Sequence, residues 1–242
     1  MCTVTFIPVK DKFYLTSNRD EKLLRKPAFP PAVFWARGSK LLYPKDAAAG
    51  GSWIGLHENG HAAVLLNGAF KKHISLPVYR LSRGIIFLEI IANEKPVVAF
   101  TQINLNNIEP FTIIIFENNS LYECRWNGQQ KYCVQLKNYR SYIWSSATLY
   151  QPEVVQKREK WFMEWLNKIP HPSLDDILQF HRFSGDGDIA NDLVMKRDGK
   201  MLTVSVTGIE LDKYAGKMQY IDLMTNHSCL QEFCFGLLKK VA

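Results

Sequence analysis

Apolar and polar positions alternate from the start of the chain. Residues 3–8 and 12–17 each read as a strand, and Asp11 between them predicts a β-hairpin. Asn18-Arg19-Asp20-Glu21 then reads as the charged end of the second strand. The stretch 25–46 is polar and carries Pro27, Pro30, Pro31 and Pro44, which predicts a long surface loop. Alternation resumes over 53–57 and 61–66 around Glu58-Asn59-Gly60, and Asn-Gly is a strong hairpin turn. Residues 79–93 change to helical spacing. Three strands, Phe111–Glu117, Ser120–Trp126 and Lys131–Leu136, form a predicted meander turning at Asn118-Asn119 and Asn127-Gly128, and 142–146 adds a short strand.

Pro152 opens a predicted helix to Asn167, with Val155, Phe162 and Leu166 on its apolar side and Pro170 beyond its end. Ser173 caps a further helix to about Phe183, and Asp176 completes a short capping box. A hairpin of 189–196 and 200–207 around Asp198-Gly199 and a last strand at 218–223 complete the chain. Hairpins with helices grouped between them predict an α+β fold of two mainly antiparallel sheets faced by helices. No internal repeat or linker interrupts the 242 residues, which fit one domain, 1–242.

Composition narrows the function classes. Hydrophobic residues make up 47% and charged residues 22%, enough for a core. The net charge is +7, but the basic residues are scattered. Lys71-Lys72 and Lys239-Lys240 are the densest runs and lack interleaved aromatics. A solvated surface follows, with a secondary preference for anionic small molecules and no nucleic-acid partner. The apolar run 85–91 is broken by Glu89, so no segment predicts a membrane span or stable insertion. The first residues lack the pattern of a secretory signal, and a cytoplasmic location is expected. Cys2, Cys124, Cys133, Cys229 and Cys234 are odd in number and form no C-x-x-C pair, which argues against a disulfide framework or zinc knuckle.

Four features carry candidate chemistry. His57-Glu58-Asn59-Gly60-His61 matches H-E-x-x-H, but that zinc chemistry needs a helix, and Asn59-Gly60 predicts a hairpin tip instead. No metal or cofactor is expected. Cys2 is small enough for Met1 to be removed, which would join a thiol and an α-amine on one residue. A free α-amine has a pKa of roughly 7.7–8.0 and suits a general base. A thiol is already nucleophilic. Alternatively, Cys2 is a small buried hydrophobe at the start of a strand. A hairpin would return Asn18-Arg19-Asp20-Glu21 to the N-terminus, where Arg19 suits a thiolate and Asp20 an ammonium. Asn67, after an apolar run, offers an amide to a developing oxyanion; the plain alternative is a turn asparagine before Gly68.

Met1-Cys2-Thr3, Asn18-Arg19-Asp20-Glu21, Asp46 ahead of Gly50-Gly51-Ser52-Trp53-Ile54-Gly55, and Asn67 together resemble the NRDE family, also called the transport-and-Golgi-organisation protein 2 family. The likeness continues more loosely through Ser82-Arg83-Gly84, residues 144–160 and the Asp198-Gly199 hairpin. That family in turn resembles N-terminal-nucleophile cysteine acylases. The resemblance implies a four-layer αββα sandwich, with Cys2 as nucleophile, Arg19 and Asp20 as its companions and Asn67 as an oxyanion donor. Asn18, Glu21, Trp53 and Ser146 are further pocket candidates. Ser146 stands where many relatives carry an asparagine. Two functions follow: an amidohydrolase acting on a small amide or acyl conjugate, or a non-catalytic binder in acyl-coenzyme A, lipid or haem trafficking.

Overall fold

The computed structural model describes residues 3–236. Among these, β1 (Thr3–Val9) pairs with β2 (Lys12–Lys22) antiparallel, as the alternation predicts. The charged tetrad does not end β2. The strand continues to Lys22 because β12 (Met201–Leu211) pairs with it along its other edge, from Phe13 to Lys22. The first sheet runs β10 (Tyr142–Ser145), β1, β2, β12, β13 (Ala215–Asp222), β14 (Ser228–Cys234), with β11 (Lys196–Arg197) attached to β12.

The second sheet runs in chain order through β3 (Phe29–Ala36), β4 (Ser39–Lys45), β5 (Ile54–His57), β6 (Ala62–Asn67), β7 (Phe111–Glu117), β8 (Ser120–Trp126) and β9 (Lys131–Leu136). The proline-rich stretch expected as a loop is therefore the hairpin β3–β4. Its Pro30 and Pro31 lie on the sheet's edge strand, at a register shift between Phe29 and Ala32, where a missing N–H breaks no ladder bond. Two further differences have similar causes. Residues 189–195 are turns rather than strand, because Asp188 and Arg197 bind their backbone. β14 is an edge strand exposed along most of its length, so it shows no clean alternation.

Helix α1 (Arg83–Ile91) starts later than the pattern suggested, at a Ser82 cap. The short α2 (Pro96–Gln102), not anticipated, follows with Pro96 in its first turn. Both lie on the second sheet, against β5–β8. α3 (Pro152–Lys168) and α4 (Leu174–Phe183) lie on the first, and Ser173 with Asp176 forms the expected capping box. Val4, Phe6, Leu15, Leu56, Val64 and Ile209 fill the space between the sheets. The result is an αββα sandwich.

The Gly-Gly-Ser-Trp segment joins α1 to the second sheet. A Cβ on Gly51 would meet the Gly84 carbonyl carbon, with Ile85 N at 2.6 Å and Gly84 Cα at 2.8 Å. Ser52 N also donates to Gly84 O at 3.2 Å. Backbone on both sides leaves nothing flexible to move. Gly51→Ala is expected to lower stability by about 1–3 kcal/mol through overpacking, read as a shift in the denaturant midpoint at unchanged slope. The His57–His61 pair sits at a hairpin tip, with ring centroids 5.7 Å apart. That geometry is a cross-strand pair, not two ligands on a helix face.

Candidate active site

The site is built around the start of β1. Thr3 pairs with Asn18 on one side and Ser145 on the other, so the start of β1 and the end of β10 meet beside the interior of β2. Cys2, the residue before it, lies outside the described residues.

Because β2 remains a strand through the tetrad, its side chains alternate between faces. Arg19 and Glu21 point towards the second sheet. Arg19 is buried, its guanidinium lies 4.6 Å above the Trp53 ring, and its Nη2 donates to Asp46 Oδ2 at 2.6 Å. Glu21 Oε2 stands 3.6 Å from Arg19 and 3.4 Å from Arg25. Arg25 donates to both oxygens of Asp46 at 3.0 Å, and Ala48 N and Ala49 N add backbone donors. Burial alone would raise the Asp46 carboxyl; Arg25 and the Ala49 amide outweigh it and hold the group below the usual range. Arg19 Nε is buried without a hydrogen-bond partner among the described residues.

Asn18 and Asp20 point the other way, towards the helices. Asp20 accepts from the Tyr150 hydroxyl and from Thr203 Oγ1, both at 2.6 Å. Asn18 Nδ2 donates to the carbonyls of Leu193 at 2.7 Å and His181 at 3.0 Å. Its Oδ1 therefore accepts from His181 Nδ1, leaving Nε2 to accept from the Thr5 hydroxyl at 2.8 Å. Arg19 and Asp20 are thus close in sequence but face opposite sides of the sheet.

Asn67 ends β6 facing the same region. Its carbonyl accepts from Ser146 Oγ at 2.9 Å, and its half-buried side chain lines both clefts without a hydrogen bond to another described residue. Ser146 is buried and also contacts Thr148 Oγ1 at 3.0 Å, so its hydroxyl ties β10 to β6. Two clefts share Asn67 and Leu149 as walls. One, of about 460 Å³, is lined by Leu66, Ile143, Trp144 and Val155. The other, of about 600 Å³, is lined by Arg19, Asp20, Arg25, Tyr79 and Glu109.

Two residues of the scaffold escaped the sequence reading. Arg158 of α3 is fully buried and has no carboxylate within ion-pair distance among the described residues. It donates to Thr3 Oγ1 at 2.6 Å, to Asn191 O at 3.0 and 3.2 Å, and to Asp192 O at 2.7 Å, and it lies 3.7 Å over Tyr150. It pins the first described residue from below and supports the phenol that binds Asp20. His181 of α4 is the second. Both occupy apolar stripes, Val155-Arg158-Phe162 and Leu174-Leu178-His181, and a polar residue inside such a stripe is the signal that could have found them.

Burial, with Arg158 nearby, pushes the His181 imidazole down to about 3. The unfolded imidazole titrates near 6.5. Between these values the unfolded chain holds a proton that the folded one does not. Stability is complete above pH 6.5 and falls as pH drops towards 3. Between pH well above 6.5 and pH 4.5 this group is expected to remove roughly 2–3 kcal/mol, approaching about 1.36 kcal/mol per pH unit below 6. His57 and His61, held below the usual range by burial, add to the same trend. His181→Gln should reduce the pH slope of unfolding free energy in that window by about one proton.

The family model described as Transport and Golgi organisation 2 matches residues 1–215. No curated protein sequence matches the chain. Solved structures do. An N-acylethanolamine-hydrolyzing acid amidase ortholog from Caenorhabditis elegans superposes with a TM-score of 0.60 at 15% identity, over 86% of this chain and 92% of that one. An arginine-to-leucine variant of conjugated bile acid hydrolase from Clostridium perfringens gives 0.60 at 13% identity, over 96% and 92%. A cysteine-to-alanine variant of that hydrolase gives 0.53 at 12%, over 98% and 97%. These proteins share the N-terminal-nucleophile hydrolase fold, and at such identities the likeness establishes the fold alone.

Proposed function

The chain belongs to the Transport and Golgi organisation 2 family, and from that membership and the site geometry we propose a cysteine amidohydrolase that cleaves a small amide or acyl conjugate. Cys2, made terminal by removal of Met1, is the nucleophile. The observation that carries this reading is the convergence of two clefts on Asn67, whose amide is unpartnered among the described residues, beside the β1 start that Arg158 pins.

In this reading the Cys2 thiol attacks the carbonyl carbon while the α-amine takes its proton. The Asn67 amide donates to the oxygen as its charge develops. The amine proton passes to the leaving nitrogen, and water then hydrolyses the thioester. Arg19, with Nε still unspent, supplies positive charge near the thiolate, and Trp53 and Asp46 fix its orientation. Asp20 fixes the Tyr150 and Thr203 side of the site. The cleft lined by Leu66, Ile143, Trp144 and Val155 suits an apolar acyl group, and the charged cleft suits a polar amine.

The test is turnover of a panel of N-acyl amides with varied acyl lengths and amines, read as released amine, with mass spectrometry of quenched enzyme. An acyl adduct on the N-terminal peptide is expected for at least one amide. Neither turnover nor adduct across the panel would count against the proposal. A second reading, a non-catalytic binder of a small hydrophobic or anionic ligand, is favoured by one observation: Ser146, at the position suited to a second oxyanion donor, spends its hydroxyl on Asn67 O. Saturable ligand binding without hydrolysis would support it.

A further inference from the structure

Cys124 and Cys133 are directly opposite one another on the antiparallel strands β8 and β9. Opposite residues on such strands have Cα atoms about 4.5 or 5.5 Å apart, and both spacings fall within the roughly 4.4–6.8 Å that a disulfide bridges. The sulfurs are 2.8 Å apart as free thiols. Cys124 is buried against the core, and Cys133 is exposed on the sheet's edge strand. From these positions we propose that Cys124 and Cys133 form a redox pair, closing to a reversible cross-strand disulfide when a peroxide reaches Cys133. The odd cysteine count and the missing C-x-x-C spacing hid the pair, because sheet register, not sequence separation, brings the two together.

The asymmetry assigns the order of steps. The hydrogen bond between the two sulfurs holds Cys133 below the usual thiol range and, together with burial, pushes Cys124 up. Cys133 is thus the accessible thiolate and Cys124 the resolving thiol. The Cys133 sulfur attacks one peroxide oxygen, the O–O bond breaks, and hydroxide leaves, giving a sulfenic acid. The Cys124 sulfur then attacks the Cys133 sulfur. The S–S bond forms, the S–O bond breaks, and the departing hydroxide takes the Cys124 proton as water. Two thiols are oxidised by two electrons and the peroxide is reduced to water.

The bond would lie on the face of β8 that carries Trp126, whose Nε1 donates to Ile108 O at 2.9 Å. Glu123 and Arg125 are on the opposite face. There Glu123 accepts from Trp144 Nε1 at 2.7 Å, and Arg125 donates to Ala69 O at the wall of the apolar cleft. Closure therefore clamps edge strand β9 onto β8 without occupying the cleft, and the reading does not depend on the proposed hydrolase activity.

The test uses the full chain, reduced, freed of reductant, treated with stoichiometric hydrogen peroxide and quenched in denaturant with N-ethylmaleimide. Cleavage after Arg125 and Lys131 puts the two cysteines on separate peptides. The expected result is a loss of two hydrogens in intact mass and one cross-linked peptide pair holding Cys124 and Cys133, both reversed by dithiothreitol. Cys133→Ser, a change at an exposed position, should fold normally and give no cross-link. The proposal is overturned if Cys124 remains fully alkylated after peroxide, if Cys133 accumulates as sulfinic or sulfonic acid, or if the cross-link joins Cys229 or Cys234 instead.

Discussion

Arg158→Met is expected to lower the unfolding free energy by about 3–5 kcal/mol. The guanidinium satisfies the buried Thr3 hydroxyl and the part-buried Asn191 and Asp192 carbonyls. Methionine fills similar volume but donates nothing, and each buried acceptor left unpaired costs about 1–3 kcal/mol, with incomplete additivity. Arg158→Lys should recover only part of this, since one ammonium cannot reproduce a planar fork spanning three acceptors. Chemical denaturation measures the loss. A second readout separates the packing role from the site: in the lysine variant, β1 loses its tether at Thr3, so alkylation of the N-terminal cysteine should change more than the stability does. A methionine variant within about 1 kcal/mol of the parent would show that solvent or rearrangement satisfies the same carbonyls.

Asn67→Ala is expected to reduce turnover of a cleaved amide by about 10²–10³-fold, the typical cost of one oxyanion donor. The fall should appear in kcat, with KM nearly unchanged, because the amide's hydrogen bond strengthens as charge develops. Stability should hardly move. The side chain has no partner among the described residues, and the Asn67 carbonyl that anchors Ser146 belongs to the backbone and survives the substitution. Loss of stability equal to the loss of rate would instead make Asn67 a structural turn residue.

Much of this architecture was legible because local pattern and final environment agree. The meander β7–β9 has alternating strands with turn residues between them, and Asn118 and Asn119 adopt the positive φ that their turn needs. Ser173 and Asp176 announced α4 through a cap that is purely local. The elements that escaped depend on partners distant in sequence. β2 outruns its apolar segment because β12 pairs with it and because Tyr150, Thr203 and Asp46 satisfy its charges. β3 tolerates its prolines only as an edge strand.

The candidate site divides in the same way. The tetrad, the glycine-rich segment and Asn67 could be picked out by residue type and spacing, and the structure brings them to one end of the sandwich. What spacing alone left open was which face each side chain takes. Continuous strand splits the tetrad, so Arg19 meets Trp53 while Asn18 meets His181. Arg158 was hidden because an arginine on an amphipathic helix ordinarily marks the solvent side.

The proposed hydrolase mechanism requires Cys2 to be an activated terminal thiol. Intact mass before and after iodoacetamide near pH 7 tests it most directly, in a Cys133→Ser background so that the exposed cysteine of β9 does not compete. The expected result is a chain lacking Met1 that gains a single adduct on its N-terminal peptide, faster than Cys124, Cys229 or Cys234 react, and no fast adduct in Cys2→Ala at unchanged stability. A chain that retains Met1, or a Cys2 that reacts no faster than the other thiols, would contradict it.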